Sequence, residues 1–355
     1  MSAVSDELTP DRIENCPHPR ETQVLHGHES AEQSFLTAIN AKKLHHAWLL
    51  EGPKGCGKAS LAYRVARTLL GAQVDAANGL LGVAEADPVT RQITAGSYPD
   101  LMSITNGWNE KTKKWRNEIS VDQVRKISGL FANRAAGNGW RVCIIDCADD
   151  LNHNAANALL KTLEEPPKQG LLLLVCHRPG RMLATIRSRC RRLVLRAPGE
   201  DISRQVAMAS GADETSAKLA ATLAQGCPGR AAQIANAGGL ELWNWIEQVF
   251  ANLPKLNKAE VHVMANRLAV KNARQSMLLF LALLQLRLQQ EIHRLSLLGT
   301  ADLLAPWLLV LEDNRSLQAD IDRINLDPAM SLYQLIAAIA QAAIQSQNIE
   351  RAGAV

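Results

Sequence analysis

Apolar positions fall into two regimes along the chain. Up to about residue 195, short apolar runs alternate with amphipathic stretches; beyond residue 200 the apolar residues recur mainly at helical spacing. The apolar runs at 47–50, 140–146 and 171–176 are the pattern of buried strands covered on both faces, and 101–104 and 193–195 read as further short strands. Four stretches repeat apolar residues every three to five positions and predict helices: 24–43 (Ala31, Phe35, Leu36, Ile39), 61–70 (Leu61, Val65, Leu69), 121–132 (Val124, Ile127, Phe131) and 152–165 (Ala156, Leu159, Leu163). Asn152 caps the last of these and Pro166-Pro167 stops it. Strands alternating with helices predict an α/β fold with a mostly parallel sheet. The stretch 70–100 predicts one short helix, and polar 107–117 a hairpin or loop.

Pro198-Gly199 and Leu253-Pro254 mark boundaries. The expected division is a disordered 1–20, an α/β domain over 21–197, a small helical domain over 198–253, and an all-helical domain over 254–355. Within the last, 261–270, 275–298 and 332–344 carry wide apolar faces. Those faces suit a self-contained bundle or an interface with other subunits.

Composition narrows the class. With 355 residues, 47% apolar and 21% charged, the chain reads as globular, with length for two or three domains. A net charge of +4 permits a nucleic-acid partner without requiring one. Lys111, Lys113, Lys114 and Arg116 suit a DNA contact or a solvated loop. Seven cysteines (16, 56, 143, 147, 176, 190, 227) form no C-x-x-C pair, which fits free thiols in a reducing cytoplasm. Polar 1–19 does not read as a signal peptide, and the apolar run 277–284 is too short to span a bilayer, so no membrane role is expected. His45 and His46, as neighbours on a strand, would face opposite ways and share no metal.

Candidate chemistry gathers at two strand ends. After the run 47–50 come Gly52, Gly55, Gly57 and Lys58, then an apolar-periodic helix. Glycines let backbone N–H groups converge on phosphate, a helix N-terminus adds partial positive charge, and a lysine reaches the terminal phosphates. The spacing matches the Walker A pattern, except that Ala59 stands where a Mg²⁺-binding hydroxyl belongs. The run 140–146 ends in Asp146, a Walker B arrangement, but Cys147 stands where a catalytic glutamate would follow.

Taken together these motifs resemble the AAA+ clamp-loader subunits of bacterial DNA replication. The most specific match is residues 157–167, Asn-Ala-Leu-Leu-Lys-Thr-Leu-Glu-Glu-Pro-Pro. Ser188-Arg189-Cys190 and Gly226-Cys227-Pro228-Gly229-Arg230 follow in the same order, so the likeness covers about 25–235. It implies a RecA-like nucleotide-binding domain, a helical lid and a helical collar. The implied partners are other clamp-loader subunits (gamma/tau and delta) in a hetero-pentamer of the DNA polymerase III holoenzyme, a DNA-directed DNA polymerase. The sliding clamp and primed DNA are reached through that complex. The likeness also implies roles: Gly52, Gly55, Gly57, Lys58 and Asp146 at nucleotide, Arg230 as the lid's sensor arginine, and Arg189 as a finger in a neighbour's ATP site.

Departures from the family pattern matter as much. Ala59, Cys147 and Cys176 (where a polar residue ends the sensor strand) remove three parts of one site. They point to the family's stator branch, which assists a neighbour's ATP without turning over its own, so the chain's own ATPase site is expected to be inactive. The alternative is a hydrolysing gamma/tau-like motor using Lys58 and Asp146; a free-standing nucleotide sensor is a third reading. Because Lys58 is retained, ATP or ADP binding stays open. Many relatives carry a four-cysteine zinc module after the Walker A helix; 70–100 has no Cys or His here, so no zinc and no metal ligands are expected. Apart from the likeness, Arg189 is one of a basic run with Arg187, Arg191 and Arg192, and Arg230 a residue at a helix start.

Overall fold

A computed structural model describes residues 16–109, 114–115, 118–270, 273–298, 301–324 and 326–353. Two compact units make up the chain, the first ending at Gln233 and the second beginning at Ile234. In order, the first contains α1 (Glu29–Asn40), β1 (Ala47–Glu51), α2 (Lys58–Leu69), α3 (Pro88–Thr94), β2 (Leu101–Ile104), β3 (Trp108–Asn109), β4 (Lys114–Trp115), α4 (Val121–Ala132), β5 (Arg141–Ile145), α5 (His153–Glu164), β6 (Gly170–Cys176), α6 (Ala184–Arg187) and β7 (Arg191–Val194). Three helices follow: α7 (Glu200–Ala209), α8 (Glu214–Leu223) and α9 (Pro228–Asn236).

Five strands form one parallel sheet in the order β2-β5-β6-β1-β7, while β3 and β4 make a short antiparallel ladder. Side chains alternate across a strand, and both faces are covered. Trp48 and Leu50 enter a core with Phe35 of α1 and Leu61 and Val65 of α2. Ala47 and Leu49 enter the opposite core with Ile127 of α4 and Leu159 of α5. That double burial is why the strand runs are continuous; each buried leucine contributes about 1.5–3 kcal/mol. The expected α/β P-loop class, with a parallel sheet, following lid helices and an all-helical C-terminal region, is the observed one.

Several elements differ from the sequence reading. Helix α1 is shorter than 24–43, because Gly27 has φ +76° and the chain turns at Lys42, φ 52°. Helix α2 starts three residues early, directly on left-handed Gly57. His45 and His46 stack, with ring centroids 4.3 Å apart. They precede β1 in a turn, where His45 Nδ1 bonds the Ala47 backbone, so strand alternation does not apply to them. The stretch 70–100 is held by a buried ion pair: Glu32 meets Arg64, which donates to Asn78 O at 2.7 Å, while Leu80 N donates to Glu32 at 3.1 Å. Of the segment expected to be disordered, 1–15 lies outside the described residues. His18 is buried, and Arg67 donates to Arg20 O and Thr22 O. Lys111, Lys113 and Arg116 also lie outside the described residues.

The second unit is helical: α10 (Gly239–Ala251), α11 (Lys258–Ala269), α12 (Arg274–Ser296), α13 (Ala301–Ile324) and α14 (Pro328–Gly353). Helix α12 packs on α10, α11 and α13 through residues such as Phe280, Leu283 and Leu284, and α14 closes on α11 and α13. Buried polar ties cross it: Trp307 Nε1 donates to Ser346 Oγ at 2.9 Å, and Asn314 Nδ2 to Leu281 O at 3.1 Å, while Asn314 Oδ1 is buried without a partner. No helix among the described residues is long and apolar enough to cross a membrane.

Candidate functional site

In an open parallel sheet, ligands meet the carboxyl ends of the strands. Here β5, β6 and β1 lie side by side, so Asp146, His177 and the loop 52–57 share that edge. The loop's glycines are required by close approaches. A Cβ on Gly52 would sit 2.2 Å from Leu195 O, and one on Gly55 2.6 Å from Arg230 N. Gly229 N donates to Gly55 O at 2.9 Å, so the start of α9 seats on the phosphate loop and brings Arg230 beside it. Lys58 is 2% exposed and donates to Gly52 O at 2.8 Å and Pro53 O at 2.6 Å. Burial lowers its pKa, an effect that Cys56 and Asp146 partly oppose. The methyl of Ala59 packs against the core shared by α1 and α2.

At the neighbouring strand ends, Asp146 is 9% exposed and accepts from Cys147 N at 2.9 Å. Cys147 adopts φ 58°, ψ 52°, a left-handed conformation that costs a non-glycine residue about 1–2 kcal/mol. It turns Sγ to 3.5 Å from His177 Nε2 and 3.9 Å from Asp146 Oδ1. Burial, then Asp146, pushes the Cys147 thiol well above its usual range. Burial, then Lys58, pulls His177 down to about 3. Both groups are therefore neutral near pH 7, and no thiolate–imidazolium nucleophile forms. His177 Nδ1 is buried with no hydrogen-bond partner, which costs about 1–3 kcal/mol.

Sequence patterning gives no weight to His177. Cys176, expected to end the sensor strand at the site, is fully buried in the core, its thiol pushed up to about 12 by burial. The residue that reaches the site is the next one. Its only sequence signal is its place directly after the buried run 171–176. Asp149 fixes it by accepting His177 N at 2.9 Å and Arg178 Nε at 3.1 Å. Burial alone would raise the Asp149 carboxyl, but the His177 amide, the imidazole and Arg178 bring it below the usual range.

This donor set decides what fits. The glycine loop, Lys58 and the adjoining Arg230 suit a phosphate group. Magnesium prefers hard oxygen ligands in near-octahedral array, and Ala59 and Cys147 supply no oxygen. The loop is compatible with nucleotide, while Ala59 and Cys147 withhold two of the groups that a hydrolytic Mg²⁺ centre uses.

Arg189 stands apart from that cluster. It follows α6, and its Nη2 pairs with Glu164 Oε1 at 2.8 Å while Nη1 donates to Thr185 O at 3.0 Å. Glu164 ends α5, so the two signature segments 157–167 and 188–190 touch. Its basic neighbours have other tasks. Arg187 donates to Pro179 O, Arg191 lies over the Trp48 ring at 4.6 Å, and Arg192 grips Glu51 at 2.9 and 2.7 Å. Cys190 is buried and anchors the segment, leaving Arg189 37% exposed on a pair with a half-exposed carboxylate.

Residues 27–199 match the family described as DNA polymerase III, delta subunit. The chain is 39% identical over 169 residues to the DNA polymerase III subunit delta' of Pseudomonas aeruginosa, covering 47% of this chain and 48% of that one. It is 33% identical over 204 residues to the delta' subunit of Escherichia coli, covering 56% and 57%. A DNA polymerase III gamma subunit-related protein from Thermotoga maritima shares 16% identity at a TM-score of 0.46, covering 89% of this chain and 99% of that one. The chain spans about half the length of the curated relatives it matches. Residues 27–199, which hold the phosphate loop, Asp146 and the Ser188-Arg189-Cys190 segment, are the part of this chain similar to the DNA polymerase III, delta subunit family.

Proposed function

We propose that the chain is a stator subunit of a bacterial clamp loader. It would bind other clamp-loader subunits of the gamma/tau and delta kinds in a hetero-pentamer, and through them the sliding clamp and primed DNA. On this reading the second unit contributes the collar, α7–α9 the lid, and the protein works in the cytoplasm. The single supporting observation is an asymmetry of chemistry. The chain's own site keeps a phosphate loop but offers Ala59 and Cys147 where hydrolysis needs oxygen ligands and a base. Arg189 meanwhile is presented at the surface, apart from that site.

The role proposed for Arg189 is electrostatic. A guanidinium aimed at a neighbour's γ-phosphate neutralises charge that builds up during transfer. The role of Lys58, Gly52, Gly55, Gly57, Asp146 and Arg230 is to hold the loop, and ATP or ADP when one is bound, without turnover.

The test is ATP turnover by the purified chain alone, with Lys58→Ala as control. A stator shows no turnover above the control, while the chain raises turnover when added to its partners. Lys58-dependent turnover by the chain alone would replace the stator with the gamma/tau-like motor.

A further inference from the structure

We propose that Asp146, Cys147 and His177 form a binding site for a zinc-type divalent cation at the edge of the sheet. Here the ligands come from two strand ends that sheet order brings together. One carboxylate oxygen, one sulfur and one imidazole nitrogen lie within 4.8 Å of one another.

The spacing suits a single ion. With Zn–S near 2.3 Å and Zn–N near 2.0–2.1 Å, a tetrahedral ion holds its sulfur and nitrogen about 3.6 Å apart. Cys147 Sγ and His177 Nε2 are already 3.5 Å apart and Asp146 Oδ1 is 3.9 Å from the sulfur, while the carboxylate and imidazole lie within 4.8 Å, a gap that a side-chain rotation of Asp146 closes onto one ion. Three protein ligands leave a fourth position for water or a phosphate oxygen. Sulfur and imidazole donors favour zinc over magnesium, which takes oxygen. Binding converts the thiol to a thiolate and releases its proton to solvent, so the two anionic ligands balance the ion's charge.

A simple structural role explains the trio less well. The sulfur contacts are long, weak hydrogen bonds, and His177 Nδ1 has no partner, so the ring is not a satisfied core histidine. Its main chain is nonetheless fixed, through Asp149, as a ligand's should be.

The experiment titrates the full chain, stripped with a chelator, with Co²⁺ as a spectroscopic probe and then with Zn²⁺. We expect about one Co²⁺ per chain with a near-ultraviolet thiolate-to-cobalt band, displaced by Zn²⁺ and indifferent to excess Mg²⁺. Cys147→Ser should abolish the band. His177→Ala and Asp146→Asn should each weaken Zn²⁺ binding at least about tenfold. Cys16→Ser, at the other thiol that is not fully buried, should leave it intact. Absence of the band in the unaltered chain, or a band that survives Cys147→Ser, overturns the site; the first needs no variant to fold.

Discussion

Lys58 and Arg189 are both cations that family resemblance assigns to phosphate, and the structure treats them in opposite ways. Lys58 is 2% exposed, with its ammonium on two carbonyls of its own loop. Such charge-assisted bonds contribute about 1.5–3 kcal/mol each. A phosphate must replace both, so any nucleotide affinity is a difference between two similar terms. Arg189 is 37% exposed and pairs with a carboxylate that is 52% exposed. Pairs of that kind contribute about 0–1 kcal/mol. The cation that an incoming phosphate can recruit at least cost is therefore the one outside the chain's own site. A nucleotide loop can also lose its chemistry and keep its glycines, because the backbone crossings at Leu195 and Arg230 need them with or without ligand.

The largest expected effect breaks the outward half of this contrast. In a reconstituted complex, Arg189→Ala should slow turnover at the site it completes by roughly 10³–10⁵, the range for arginine fingers in other nucleotide hydrolases, with assembly unchanged. Steady-state turnover in a complex whose other sites are silenced would show it, and an unaltered rate would remove the finger. The inward half is probed by Gly52→Ala. Its Cβ would meet Leu195 O at 2.2 Å from a backbone with φ +152°, so unfolding in urea should show a loss of about 2–4 kcal/mol. A loss below about 0.5 kcal/mol would mean that the glycine serves a ligand rather than the fold.

Much of this contrast is legible in the amino-acid sequence, and the illegible parts share a cause. The strands stand out because β1, β5 and β6 are buried on both faces, which writes continuous apolar runs into the chain. Asp146 and Lys58 are legible because local spacing places them. His177 is not: its role comes from β6 lying between β5 and β1, a tertiary fact that single-strand patterning does not encode. The Glu164–Arg189 pair likewise joins segments on either side of β6. Helix α13 escapes the apolar periodicity because Leu303, Trp307 and Val310 are interrupted by Pro306 and followed by a charged half. Helix ends shift where glycines and polar caps, rather than apolar spacing, set the boundary, as at Gly57.

The smallest effect gives the sharpest test of how Arg189 is held. If the pair with Glu164 only parks the arginine, Glu164→Gln should change stability by under about 1 kcal/mol, as exposed ion pairs do. A double-mutant cycle with Arg189→Ala, read by urea unfolding of the chain alone, isolates the coupling. Coupling below about 1 kcal/mol keeps Arg189 available, and in the assembled complex Glu164→Gln should then leave turnover near the parent rate or raise it slightly. Coupling above about 2 kcal/mol would make the pair a structural clamp joining the end of α5 to the segment after α6. Arg189 would then be as internally committed as Lys58, and the contrast between the two cations would fail on its outward side.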